Sequence, residues 1–149
     1  MAAFDVTGTI APAATKTALI ITGSATLRPR LIESMISTAG VPSSEAGIQV
    51  YIRPSTAAGT STAVTPRPKN AVSVAGFTAG SNASVEPTYT AGQPLKTFQG
   101  NPRNMLVWQA LQGDAEIVAA AASANGFGYQ MQIAGGALTS FDVDATVIE

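Results

Sequence analysis

Two aspartates near the carboxyl end, Asp142 and Asp144, are the residues whose type and spacing come closest to chemistry. At positions i and i+2 they share one face of a strand, where paired carboxylates could bind Ca²⁺ or act as acid and base. The competing interpretation is a solvated strand face, because charges on exposed strands protect sheet edges from aggregation. We favour the second interpretation, and predict no catalytic, metal-binding or cofactor-binding residue.

The chain contains no histidine and no cysteine, and this narrows its chemistry further. Imidazole bases, His-assisted nucleophiles, thiolates, disulfides and Cys or His metal sites are all excluded. Any catalysis would have to use carboxylate, lysine, tyrosine or serine side chains. We therefore predict that the protein is not an enzyme and needs no cofactor.

Two further groups of side chains have an interpretation as sites. Glu33 with Arg28 and Arg30 could form a buried ion cluster or a partner contact, although a solvated strand face is favoured. Trp108, the single tryptophan, could join Tyr89 and Tyr129 in a platform for sugars. Because tryptophan buries so much area, a place in the core or in a subunit interface is favoured for it.

The composition indicates one domain that associates with other proteins. The 149 residues are 46% apolar and 11% charged, with a net charge of −1. A surface of Thr, Ser, Asn, Gln and Ala has little self-repulsion and favours association. The eight scattered basic residues make a poor nucleic-acid footprint, and no apolar run is long enough to span a membrane. We predict no nucleic-acid and no membrane partner.

The elements that must position these residues are strands, because apolar residues alternate along the sequence. Ile48, Val50 and Ile52 alternate with polar neighbours up to Pro54, which is predicted to end the strand. In the stretch from Ala25 to Ser37, Leu27, Leu31 and Met35 are predicted to face the core, with Ser34 on the opposite face. Residues 55–83 read as a loop, broken by short strands at 62–65 and 72–78.

The clearest alternation predicts a hairpin at the carboxyl end. Phe127, Tyr129, Met131 and Ile133 form one apolar face, and Phe141, Val143, Ala145 and Val147 form another, with a turn at Gly135-Gly136. Two strands with one apolar face each require a second sheet over them. We expect the two apolar faces to meet in the interior.

About eight strands without a credible helix predict an all-β fold, a two-layer antiparallel β-sandwich that is jelly-roll-like. Residues 16–149 form the sandwich in this interpretation, and residues 1–15 an extended N-terminal arm that orders only against a partner. The residues predicted to bind that partner are the alternating apolar residues of the arm and the tightest basic group: Phe4, Val6, Ile10, Arg67 and Lys69.

Several segments in order resemble a family of small virion proteins of tailed bacteriophages. The segments run through residues 16–149 and are low in information individually: Gly47 to Arg53, Ala58 to Pro66, Val85 to Thr88, Glu116 to Val118, Gly126 to Gly128 and Phe141 to Glu149. The sequence departs from the family at Asn70 to Val72, where an acidic segment is expected. It departs again at the alanine run 119–124.

The resemblance implies a β-sandwich decoration or cement protein, made in the host cytoplasm and placed on the outer surface of the capsid. Its partners would be the major capsid protein and further copies of itself, with a homotrimer favoured by the three-fold junctions of capsid lattices. The alternative is the receptor-binding or glycan-binding head of a phage fibre or spike.

Overall fold

The computed structural model describes residues 1–40, 47–111, 116–120, 122, 124–134 and 138–149. Thirteen strands in these residues form two antiparallel sheets that pack face to face, and no helix is present there. The predicted β-sandwich is confirmed, while the jelly-roll topology stays a prediction. In the same residues, no helix has the length and apolar character to cross a membrane.

Sheet 1 has the order β10, β3, β13, β1, β6, and β11 pairs with β3 on the side of β10. The bounds of these strands are β1 Ala3–Ile10, β3 Arg30–Gly40, β6 Arg67–Pro68, β10 Leu106–Gln109, β11 Ile117–Val118 and β13 Leu138–Ile148. Its two edges are therefore β6 on one side and β10 with β11 on the other.

Sheet 2 has the order β5, β7, β2, β12, β4, β8, and β9 also pairs with β4. The bounds are β2 Thr17–Thr22, β4 Ile48–Ala57, β5 Thr60–Val64, β7 Thr78–Val85, β8 Thr88–Tyr89, β9 Lys96–Gly100 and β12 Gly126–Ala134. Strand β4 is longer than predicted, because Pro54 lies within it rather than at its end.

The core lies between the sheets and is formed by the alternating residues of both. As predicted, Ile48, Val50 and Ile52 are fully buried. So are the apolar residues of the last two strands, namely Phe127, Tyr129, Met131, Phe141, Val143, Ala145 and Val147. The two apolar faces therefore meet in the interior, as expected. The side chain of Ile133 and the turn at Gly135-Gly136 lie outside the described residues.

The last two strands are not hairpin partners, contrary to the prediction. Strand β12 pairs with β2 and β4 in sheet 2, whereas β13 pairs with β1 and β3 in sheet 1. An alternating pattern reports which face of a strand is buried but not which strand lies beside it. The same pattern fits two strands that face each other across the core.

The predicted N-terminal arm is wrong for residues 3–10, which form β1 inside sheet 1. This strand lies between β13 and β6, and Phe4, Val6 and Ile10 are 0%, 1% and 2% exposed. The Phe4 ring packs edge-on against Phe77 with 5.4 Å between centroids. The side chains of Phe4, Val6 and Ile10 therefore pack into the chain's own core and are not available to a partner.

A bulge in β3 reverses the predicted facing of its second half. Thr146 pairs with Glu33 and Val147 with Leu31, so Ile32 is an extra residue opposite β13. An extra residue shifts every later side chain to the other face. Leu31 is buried as predicted, but Ser34 and Ile36 are buried too, while Met35 is only half-buried.

The stretch predicted as a loop contains a two-stranded ribbon. Strand β4 continues into β5 through Ala58 and Gly59, and β7 continues into β8 through Glu86 and Pro87. Ala57 pairs with Thr88 and Thr60 with Val85, so the two long strands pair across the junction. The short strand predicted at 62–65 is confirmed as part of β5, whereas residues 72–77 form no strand.

Residues 2 and 149 lie side by side. Their backbones exchange two hydrogen bonds, from Ala2 N to Glu149 O and from Glu149 N to Ala2 O, each 3.1 Å long. The pairing of β1 with β13 therefore continues to these residues.

Candidate functional site

The two aspartates of β13 lie on the outer face of sheet 1, and their carboxyl groups have different neighbours. Asp142 accepts hydrogen bonds from the hydroxyls of Thr9 and Ser140, both 2.7 Å long. Burial raises the pKa of the Asp144 carboxyl, and the charges of Asp5 and Glu33 raise it further against the opposing effect of Lys69. Within the described residues, no three carboxylates are grouped as a metal site requires.

The predicted cluster of Glu33 with two arginines is divided between different partners. Arg30 forms a salt bridge with Glu116, and Arg28 donates to the backbone oxygen of Ala119 over 2.9 Å. Glu33 lies on the outer face of sheet 1, where the hydroxyl of Thr146 is 3.3 Å from its Oε2. The arginines therefore fix β11 and the segment after it, not a ligand site.

The predicted basic group beside Pro68 lies at the β6 edge of sheet 1. Arg67 is exposed and pairs with Asp5 of β1 in the strand register, and Lys69 Nζ lies 3.1 Å from Asp5 Oδ1. Arg67, Asp5 and Thr7 line an open groove of about 450 Å³ together with residues 63–65, at the end of β5 and just after it. A partner role for Arg67 and Lys69 stays a prediction.

The three aromatic residues considered for a sugar platform do not form one. Tyr129 is fully buried in the core, where its hydroxyl bonds with that of Ser34. Tyr89 lies on the outer face of sheet 2, beneath the guanidinium of Arg53 at 5.1 Å from the ring centroid. Trp108 is on β10 in sheet 1. These positions place the three rings on different surfaces of the two sheets.

A hydrogen-bonded clamp ties the ribbon to β2 of the same sheet. Thr17 of β2 donates its backbone N–H to Glu86 Oε1 over 3.1 Å and its hydroxyl to Glu86 Oε2. The Tyr89 hydroxyl lies 2.7 Å from the Thr17 hydroxyl, and burial raises the pKa of Tyr89. Because these groups hydrogen-bond to one another, we assign them the role of holding the ribbon in place.

The ribbon joins two segments that the sequence singled out separately, Ala58 to Pro66 and Val85 to Thr88. Gly59, in the segment from Ala58 to Pro66, has a φ of +70°, and a Cβ there would lie 2.2 Å from the backbone oxygen of Val85. Only glycine fits such a close approach at a positive φ. Sequence reasoning noted both segments but missed that they pair, because no local signal reports a contact between distant residues.

The β10 edge, which we define as residues 105–111, exposes apolar side chains that packing within the fold does not account for. Met105, Val107 and Leu111 are 59%, 54% and 80% exposed, and the stretch from Asn104 to Leu111 carries no charge. No described strand pairs with the outer side of β10. Exposed, apolar and uncharged sheet edges are templates for pairing with another chain.

The backbone geometry shows which groups of this edge are free. Ala110 N donates to Ile32 O over 2.8 Å, and β10 pairs with β3 in a single register from Leu106–Ile36 to Gln109–Glu33. Antiparallel strands alternate between residues that bond to the neighbour and residues that point away. Val107 and Gln109 therefore direct their N–H and C=O groups away from β3.

Sequence reasoning did not identify residues 105–111 as the edge of a sheet. The missing charge is visible in the sequence but does not mark an edge by itself, since exposed edge strands usually carry lysine or proline. Comparison with protein-family models, with curated proteins and with solved structures finds no match to this chain.

Proposed function

We propose that this protein is a structural virion protein of a tailed bacteriophage, a decoration or cement protein on the outer surface of the capsid. The β10 edge carries the proposal, because an exposed apolar edge without charge suits a protein whose work is association. The order of the sequence motifs supports the phage class. The partners under this proposal are the major capsid protein and further copies of the chain.

The mechanism is adhesion rather than catalysis. A sandwich seated at a junction of capsid subunits adds interface area, and each added contact opposes the outward pressure of packed DNA. A rigid protein transmits that restraint best. The clamp of Thr17, Glu86 and Tyr89 and the buried bond between Ser34 and Tyr129 serve that rigidity.

Arg67 and Lys69 are the residues that we propose to contact the capsid. Arg67 is exposed on β6, at the end of sheet 1 opposite the β10 edge, so capsid contact there leaves β10 free. The alternative stays the receptor-binding or glycan-binding head of a phage fibre or spike, but the aromatic platform considered for sugars is not formed by these rings. We therefore favour attachment to the head over the tail.

The test is binding of the purified protein to phage heads that lack it. We expect saturable binding, visible by cryo-electron microscopy as density repeated over the capsid, and better retention of DNA on heating. Replacing both Arg67 and Lys69 with alanine should weaken attachment, whereas replacing exposed Val74 should not. Failure to bind heads, or density confined to the tail, would overturn the proposal.

A further inference from the structure

We infer that the β10 edge binds a second copy of this chain, strand to strand, as an antiparallel pair about a two-fold axis at Trp108. The inference rests on the proposed function, since it names the occupant of the surface on which that function depends. It also replaces the homotrimer expected from the sequence. One strand that pairs antiparallel with its own copy closes as a dimer and leaves no open end.

The free backbone groups select one register. With the axis at Trp108, Val107 of one copy lies opposite Gln109 of the other, and each pair exchanges two hydrogen bonds. The outward groups of both residues are then satisfied in both copies. A shift by one residue would bring Val107 opposite Trp108, whose N–H and C=O point to β3. A shift by two would place Gln109 opposite Met105, or Val107 opposite Leu111, beyond the ends of β10.

The same register matches the side chains. Met105 of one copy comes opposite Leu111 of the other, so the two most exposed apolar residues of the edge cover each other. Trp108 comes opposite Trp108 at a position without hydrogen bonds, where side chains approach most closely. Aromatic pairs on neighbouring, hydrogen-bonded strands are among the more stabilising cross-strand contacts.

The charges around the edge permit this pairing. No residue from Asn104 to Leu111 is charged, so the strand does not repel its own copy. Glu33 lies one strand further in, and strands are spaced at about 4.8 Å, so the two copies of β3 are about 14 Å apart. That distance exceeds the screening length of about 8–10 Å in physiological salt. Lys96 Nζ lies over the Trp108 ring at 5.9 Å from its centroid.

The decisive variant is Val107→Pro. Because the N–H of Val107 points away from β3, proline there removes a donor for the second copy without breaking a bond inside the sheet. Val107→Lys is the second variant and places a charge on the edge. Its matched control is Val74→Lys, which changes an exposed valine in the connection between β6 and β7.

Sedimentation velocity measures the outcome, with tryptophan fluorescence as a local probe because Trp108 is the only tryptophan. We expect a dimer at micromolar concentration for the unmodified protein and for Val74→Lys, with a blue shift of the emission on association. Both Val107 variants should dimerise at least about tenfold more weakly, with an unchanged circular dichroism spectrum.

A protein that stays monomeric throughout the micromolar range, one that forms trimers, or a Val107→Pro variant that dimerises normally overturns the inference. Head binding is measured on the same proteins. A monomer that decorates heads refutes the pairing alone, whereas a dimer that ignores heads refutes the proposed function alone.

Discussion

The two edges of sheet 1 are built from residues of opposite character. At the β6 edge, Lys69 N donates to Ala3 O over 2.8 Å, so the alternating positions that face outward are Pro68 and Pro66. Proline has no N–H, and Arg67 and Lys69 add charge. At the β10 edge, the outward positions are Val107 and Gln109, and no charge is present. One edge is closed to pairing and the other is open.

The difference between the two edges indicates that the unpaired β10 edge is a specific feature of this sheet. Natural sheets protect their edges with proline and lysine, and this chain places both at β6. The absence of the same protection at β10 therefore distinguishes that edge within a single sheet.

The largest effect is expected in β1, which carries the β6 edge. Phe4→Ala should lower the free energy of unfolding by about 3–5 kcal/mol, because it leaves a cavity among buried residues. Thr7→Ala, on the exposed face of the same strand, should change it by less than about 0.5 kcal/mol. Urea denaturation measures both. Equal effects, or full stability after removal of residues 1–10, would restore the arm that the sequence suggested.

The next effect concerns β3, which carries the β10 edge. Ser34→Ala removes the partner of the buried Tyr129 hydroxyl and should destabilise the protein by about 1–3 kcal/mol. Adding Tyr129→Phe removes the unpaired hydroxyl and should recover part of the loss. Ser37→Ala, exposed on the same strand, is the control. If Ser34→Ala unfolds like the control, the buried bond does not stabilise β3.

The closed edge can be opened. In the Val107→Pro background, replacing Pro66 and Pro68 with threonine restores two outward donors at β6, and concentration-dependent association should reappear in sedimentation experiments. Stability should fall by no more than about 1 kcal/mol per proline, mainly because the unfolded chain gains freedom. A protein that remains monomeric would show that Arg67 and Lys69 suffice to close this edge.

The smallest effect is the pH dependence of the outer face between the two edges. Because the pKa of Asp144 is raised in the folded state, the folded protein holds its proton more tightly than the unfolded chain does. This residue therefore adds stability as the pH falls through its raised pKa towards the ordinary value of 3.8.

Asp144→Asn should raise stability slightly at neutral pH, by less than about 1 kcal/mol, and a stability–pH profile should show this advantage shrinking as the pH falls through the raised pKa of Asp144. A loss of stability in Asp144→Asn would mean that the carboxylate makes a favourable contact, in conflict with the surroundings described for it.

Local patterns in the sequence predicted which faces are buried but not how the strands are arranged. Alternation placed Ile48, Val50 and Ile52 in the core correctly, since a side-chain period of two depends only on the strand itself. It failed at Ser34 and Met35, where the bulge at Ile32 depends on the partner strand. It also assigned β12 and β13 to one hairpin, because facing strands and paired strands share the same alternation.

The candidate site was predictable in part for the same reason. The absence of charge from Asn104 to Leu111 can be read in the sequence, but its position on an outer strand depends on the order of the whole sheet. The Ala, Thr, Gly and Pro residues around Phe4, Val6 and Ile10 suggested an arm that orders only against the surface of a partner. That surface was the chain's own sheet, which no local signal identifies.

The side-by-side position of residues 2 and 149 determines how the fold responds to mechanical force. Because β1 and β13 are antiparallel and these residues lie at the same end of the pair, a pull that separates them opens the hydrogen bonds one after another. Opening in sequence resists far less tension than shearing all bonds together. Under the proposed function, tension is therefore expected to enter the fold elsewhere, and the proposed two-fold pair at β10 would receive it along the full length of a strand.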